Sequence, residues 1–389
     1  MEWVRLGDIV KIIKGKKVEE STNKSEKSFR YIQIEDLRND DNIKYTEDPK
    51  ATIVNKGHVL IAWDGANAGT VGFNLEGAIG STISSLEINE LYKNEFSSEF
   101  LGYYLKSKNY YLRATSTGAT IPHINRIALL KLKIPKINKV NQLAIVGTFK
   151  KIEKIINNRK EQIKAYDDLI ESLFFDMLQS ELMSDKIEYS KLGDLTSHIS
   201  SGSTPRGGSS VYKSEGIPLI RSQDVKMNNL DYSNIVYIDT EIHDKMKRSK
   251  LKNRDVLLNI TGASIGRTAV FYGEDDSANT NQHVAAIRLK DEKVSPEFLS
   301  FYFSTEYFQA IIKNISSGGT REALNYKQIR EFDIPLISKI KQEKFIKNKE
   351  KIEEEKKKLE DSLAELETLF DALMQDAFSG KLFKDWEGR

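Results

Sequence analysis

The sequence predicts an α+β chain built twice: two repeated α/β globules separated by two long helices that form an antiparallel coiled coil. Three observations predict it. An apolar seam of helical spacing fills the middle of the chain, a second lies near its end, and short motifs recur in one order ahead of each seam.

The first seam steps by four and three through Ile145, Phe149, Ile152, Ile156, Arg159, Ile163, Tyr166, Ile170, Leu173 and Met177, with no Pro or Gly between Thr148 and Leu182. A heptad pattern held this long belongs to a coiled-coil helix. Some forty residues at about 1.5 Å each make a rod on the order of 60 Å long, and its single apolar stripe needs a partner in water. The second seam supplies one, through Phe345, Lys349, Ile352, Lys356, Leu359, Leu363, Leu366, Phe370, Leu373 and Ala377, interrupted early by its two lysines.

The globules are predicted by self-comparison. Leu6-Gly7-Asp8-Ile9 recurs as Leu192-Gly193-Asp194-Leu195, followed by Gly15 and Gly202. The strand-like run Tyr31–Leu37 matches 219–225, and Val59–Thr70 matches Val256–Arg267, each with a Gly-x-x-x-Gly turn. Ser98-Glu99-Phe100-Leu101 matches Pro296-Glu297-Phe298-Leu299, and Ser116–Thr120 matches Ser316–Thr320. Ile134-Pro135 and Ile334-Pro335 then precede the two seams. In the second half Ser295 reads as a helix N-cap with Pro296 at the first helical position, ahead of core positions Phe298, Leu299, Tyr302, Phe303 and Phe308. Ser97, Phe100, Leu101, Tyr104 and Leu105 repeat this in the first half. The expected divisions are 1–140, a first globule; 141–185, a central helix; 186–338, a second globule; 339–380, a C-terminal helix; and 381–389, a tail.

Composition narrows the function. Of 389 residues 39% are hydrophobic and 30% charged, which suits globules with long solvated helices. With no cysteine there are no disulfides, thiolate metal sites or cysteine nucleophiles, as expected in a reducing interior. The N-terminal stretch has no apolar leader-like run and nothing approaches eighteen apolar residues, so a cytoplasmic setting without membrane contact is expected. A net charge of +2 requires any nucleic-acid surface to gather its cations locally.

In this doubled order the motifs resemble the specificity subunit of a type I restriction-modification system, the second half most closely through Leu257-Leu258-Asn259-Ile260-Thr261-Gly262-Ala263-Ser264-Ile265-Gly266-Arg267-Thr268. The first half departs by carrying Trp63-Asp64 and Thr70 where the second has Ile260-Thr261 and Arg267. The resemblance implies two target-recognition domains, each reading one half of a split, asymmetric site in double-stranded DNA. It implies two modification (methyltransferase) subunits docked on the helices and, through them, restriction subunits. S-adenosylmethionine, ATP and Mg are then expected on those partners and no cofactor in this chain. The paired helices would hold the half-sites about one to two duplex turns apart, at roughly 34–36 Å per turn.

Candidate DNA contacts follow from residue type and position. Lys14, Lys16 and Lys17 surround Gly15, and Lys247 and Arg248 belong to a run of six cations from Lys245 to Arg254; such clusters suit phosphates, though a charge run is more often a solvated face. Ser203, Thr204 and Arg206 lie in a loop of small donors. For base edges the amides, hydroxyls and arginines near turns are Gln33, Asn67, Thr120, His123, Asn125 and Arg126 in the first half. In the second half they are Arg221, Gln223, Ser264, Asn281, Gln282, His283, Thr320 and Arg321, while Arg267 on the Gly-x-x-x-Gly turn would meet a phosphate or a guanine edge. Any single one of these is more often an ordinary surface or turn residue.

Catalytic patterns are missing. The turn Gly262–Thr268 has three residues between its glycines and an Arg where a phosphate-binding loop has four and a Lys, so a tight strand-to-strand turn explains its glycines as well. Five scattered histidines lack metal-ligand spacing. Asp224-Val225-Lys226 has no second acidic partner upstream on a matching strand, and no methyltransferase or dinucleotide motif occurs. A non-catalytic DNA reader is expected; a DNA-cleaving or DNA-modifying enzyme and a coiled-coil scaffold with protein-binding globules are the alternatives.

Overall fold

A computed structural model describes residues 2–118, 120–182, 187–316 and 323–379. The chain divides into two compact units, one formed up to Gln162 together with the segment from Leu359 onward, the other by Ile163–Lys358.

In the first unit the strand Glu2–Arg5 pairs antiparallel with Lys133–Lys136, placing Trp3 opposite Pro135. The Leu6 amide donates to the Leu132 carbonyl at 2.8 Å, which closes the globule at its root. The Leu-Gly-Asp motif is a one-turn helix, Leu6–Ile9, whose two apolar residues are fully buried. A four-stranded sheet follows in the order Val10–Lys14, Ile83–Ile88, Val59–Ala62, Val71–Phe73. A second has the order Lys44–Thr46, Phe29–Ile32, Gly77–Ile79, Thr52–Val54. The helix Ser98–Ser107 starts where the Ser97 side chain accepts from the Phe100 amide.

The second unit repeats the plan. Glu188–Lys191 pairs with Asp333–Leu336, and the Leu192 amide meets the Phe332 carbonyl at 2.9 Å. Its four-stranded sheet runs Thr196–Ser201, Val284–Leu289, Val256–Asn259, Thr268–Val270. Its second sheet has three strands, Val236–Ile238, Ile217–Ile220 and Asn279–Thr280; a helix, Thr240–Lys245, stands between Ile238 and the central strand Val256–Asn259. The helix Pro296–Ser304 is capped by Ser295, whose side chain accepts from the Phe298 amide. Phe308 is buried as expected but on a separate helix, Glu306–Ser316, because the first ends at Ser304. The run read as one strand from Tyr31 to Leu37 is a strand to Ile32 and then a 3-10 turn, Glu35–Leu37.

The two long helices are Lys139–Leu182, 44 residues, and Lys339–Ser379, 41 residues. Each globule is fastened to the start of the helix that follows it by a buried glutamine. Gln142 accepts from the Ser97 amide at 2.9 Å and donates to the Glu95 and Ile137 carbonyls. Gln342 does the same with the Ser295 amide, at 2.8 Å, and the Lys293 and Ile337 carbonyls. One side chain thus satisfies three backbone groups that burial would otherwise leave unpaired.

Within each unit the long helices pair antiparallel. In the first, Phe149 meets Phe370 and Phe378 edge-on or tilted, and Lys160 pairs with Glu367 at 2.7 Å. In the second, Phe174 packs on Phe345 and on Phe298 and Phe301 of the globule. Lys349 and Lys356, the two seam interruptions, are accommodated by ion pairs at 2.6 Å with Glu353 and Asp167. Val146, Phe174, Met374 and Phe378 are buried beside the strict heptad positions, because the helices bury a second stripe against the globules.

Candidate nucleic-acid interface

The clearest concentration of polar groups in each unit lies where the Gly-x-x-x-Gly turn leaves the central strand. Gly65 and Gly69 have φ of 97° and 91°, and Gly262 and Gly266 have 75° and 85°, a backbone that only glycine adopts without strain. A Cβ on Gly65 or Gly262 would meet nothing within 4 Å, so the backbone there is open to close approach.

In the first unit the turn is held by Gly65 donating to the Pro122 carbonyl and Ile124 to the Trp63 carbonyl, both at 2.9 Å. That brings His123 onto the turn: its Nδ1 lies 2.6 Å from Asp64, and Lys14 approaches the same carboxylate at 3.5 Å. Asn67 Oδ1 accepts from Arg38 at 2.7 Å, and Gln33 donates to Glu20 at 2.6 Å. Asn125 caps the helix Arg126–Lys131 through the Ile127 and Ala128 amides. Lys16, Lys17, Thr120 and Arg126 are exposed, and among the described residues their side chains make no hydrogen bond or ion pair.

In the second unit Leu324 donates to the Ile260 carbonyl at 2.8 Å, as Ile124 does to Trp63. His283 Nδ1 lies 2.5 Å from the Thr261 hydroxyl and its Nε2 2.9 Å from Gln282, which also accepts from Thr204. Asn281 is buried and accepts the His283 amide, shaping its own turn. Ser264 accepts from Asn259 at 3.1 Å. Arg221 is committed to the buried Asp224 through Nε at 3.1 Å and to the Asn234 carbonyl at 2.6 Å. Ser203, Arg206 and Gln223 are exposed without side-chain partners among the described residues, and the half-buried Arg267 guanidinium also has none. Thr320 and Arg321 lie outside the described residues.

The cation run from Lys245 to Arg254 is less positive than its sequence suggests. Lys245 pairs with Glu241 at 2.6 Å, Lys250 with Asp244 at 3.0 Å, Lys252 approaches Asp275 at 4.0 Å and Arg254 pairs with Glu297 at 2.8 Å. The Lys250 hydrogen bond holds the Asp244 carboxyl below its ordinary range. Lys247 and Arg248 remain exposed without an acidic partner, and are the two of the run free to meet an anion.

Sequence reasoning missed the roles of four side chains at or beside these turns. Arg38 reaches Asn67 and Thr70 from another loop, and Tyr326 donates or accepts at Ser201 at 2.6 Å. Asp36 and Asp224 accept the Gln33 and Arg221 amides at 2.7 and 2.9 Å and so shape the neighbouring loop. Their spacing in the two matched runs was the available signal. No group of residues able to hold a metal ion occurs among the described residues, and no helix there is long and apolar enough to cross a membrane.

Comparison with known proteins gives one consistent result. The family model described as the type I restriction modification DNA specificity domain matches residues 1–165 and again 184–366. The MjaVIII type I restriction enzyme specificity subunit of Methanocaldococcus jannaschii is 26% identical over 354 residues, covering 86% of this chain and 82% of the relative. The EcoBI specificity subunit of Escherichia coli is 30% identical over 176 residues, 44% of this chain and 37% of that one. Among solved structures, the type I restriction-modification S subunit from M. genitalium superposes with a TM-score of 0.55 at 17% identity, covering 97% of this chain and 96% of its own. A chain from a study of complex assembly and conformational transition of the type I R-M system gives 0.56 at 18%, with 97% of each covered. At these identities the structural likeness concerns the fold.

Proposed function

Because the chain belongs to the type I restriction-modification DNA specificity family, we propose that it reads one split, asymmetric site in double-stranded DNA, each globule contacting one half. The observation that carries this is a framework kept twice around turns whose side chains differ. The Trp63 and Ile260 carbonyls take the same backbone bond, while Asp64 faces His123 in one unit and Thr261 faces His283 in the other. Equal scaffolds with unequal donors suit two readers of unequal sequence.

On this reading DNA specificity is the chain's contribution and chemistry is not. Two modification subunits, and through them restriction subunits, bring the methyl transfer and cleavage, with S-adenosylmethionine, ATP and Mg on those partners. Lys16, Lys17, Arg206, Lys247 and Arg248 position the duplex through phosphates; Gln223, Thr120, His123 and Gln282 are the side chains offered to base edges. Thr320 and Arg321 remain candidates by residue type alone.

The test is a genome-wide adenine-methylation map of the host with and without this gene. One split motif with unequal halves should disappear with the gene, and an unchanged map contradicts the reading. The purified chain alone should neither methylate nor cut duplex DNA; either activity would make it an enzyme.

A further inference from the structure

We propose that Arg38 is the first globule's counterpart of Arg267, and that the two supply the same phosphate contact at the Gly-x-x-x-Gly turn from different places in the chain. This rests on the DNA-reading function proposed above. The equivalence is fixed by backbone bonds, not by sequence likeness. Asp36 and Asp224 each accept the amide three residues earlier, so Arg38 and Lys226 occupy the same position, two residues beyond the aspartate. Likewise Ala62 donates to the Thr70 carbonyl and Asn259 to the Arg267 carbonyl, both at 2.8 Å, so Thr70 and Arg267 are equivalent.

Across these two positions the cations are exchanged. In the second globule Arg267 sits on the turn with no partner among the described residues, while Lys226 is turned away, its Nζ 2.9 Å from the Gln223 carbonyl and 3.6 Å from Asp231. In the first globule the turn carries Thr70, and exposed Arg38 crosses to it, donating to Asn67 Oδ1 at 2.7 Å and to the Thr70 hydroxyl at 3.2 Å. Both acceptors are neutral. They fix the guanidinium beside the turn without neutralising it, and its remaining N–H groups stay available to an anion.

Either residue alone would be an unremarkable surface arginine. Their exchange means that one guanidinium is kept at each turn although the residue types at both positions changed. The side chains around it diverge, as readers of unequal half-sites must. A group kept through that divergence suits the part of DNA that is the same in both half-sites, the phosphate backbone.

The experiment measures binding of the full chain, assembled with its modification subunits, to a duplex carrying the mapped site and to a random duplex, across a series of KCl concentrations. Arg38→Ala should weaken both by a similar factor, on the order of tenfold at low salt, and reduce the slope of log affinity against log salt by about one. The double variant Arg38→Ala with Thr70→Arg should recover most of the affinity, because it builds the second globule's arrangement in the first. Arg267→Ala should reproduce the single-variant loss. Unchanged affinity in Arg38→Ala, or relaxed discrimination at one base pair with an unchanged salt slope, overturns the proposal. Absence of site preference in the wild-type assembly fails the DNA-reading function itself, a separate outcome.

Discussion

The two globules share the bonds that hold their framework and differ at the turns beside it. Gln142 and Gln342 make the same three hydrogen bonds; Ser97 and Ser295, and Asn125 and Asn325, cap equivalent helices; Asp36 and Asp224 hold equivalent loops. At the turns, by contrast, the first unit has Asp64, His123 and Thr82 where the second has Thr261, Ala323 and His283, when the backbone bonds are matched. Leaving one of these backbone groups without its partner costs about 1–3 kcal/mol, so the framework bonds are kept, whereas a turn residue that holds no such bond can change at little cost to folding and alter what the surface recognises.

The largest effect should come from the aromatic residues at which globule and long helices meet. Phe149→Ala in the first unit and Phe174→Ala in the second, each fully or almost fully buried, should lose about 3–5 kcal/mol in urea unfolding. A markedly smaller loss at one would show that the units are not built alike. Next, Gln142→Leu and Gln342→Leu should each cost about 2–3 kcal/mol, and by similar amounts, since each leaves three backbone groups without their partner. The capping asparagines should cost less, about 1 kcal/mol on substitution by Ala. Asn125→Ala should be the larger of the two, because the Asn125 side chain accepts two amides, from Ile127 and Ala128, where that of Asn325 accepts one, from Gln328.

The smallest effect depends on pH. His58 is buried with Nδ1 2.7 Å from Ser85, and desolvation lowers its pKa below the ordinary 6.5. The folded state therefore binds this proton less readily than the unfolded one. Its contribution is complete above about 6.5 and is lost as pH falls toward the lowered value. The second globule has Asp255 there, paired with Arg288 at 2.6 Å. Unfolding at pH 8 and pH 5 should show a disadvantage for the wild type over His58→Gln that grows on the acid side; a constant difference would contradict it.

Much of this plan is legible in the sequence. The heptad seams predict the long helices because coiled-coil burial is periodic, and the doubled Leu-Gly-Asp, Gly-x-x-x-Gly and Ile-Pro motifs predict the repeat because each sits at a backbone position that few residues tolerate. Phe174 and Phe378 were not legible as core from the seam, since the globules bury them from another side. The interface was legible as regions rather than atoms. Nothing local tells that Arg221 is tied to Asp224, that Asn125 is a cap, or that Arg38 reaches a turn about thirty residues on, because each depends on which loop the fold brings alongside.

If one framework is present twice, each copy should read its own half-site wherever it is placed in the chain. The most direct measurement replaces residues 6–132 by 192–332, joining at the equivalent Leu6–Leu132 and Leu192–Phe332 bonds, and maps adenine methylation in the host. One half of the split motif should be retained and the other replaced by a second copy of it. An unchanged motif from a folded, assembled chain would contradict the account.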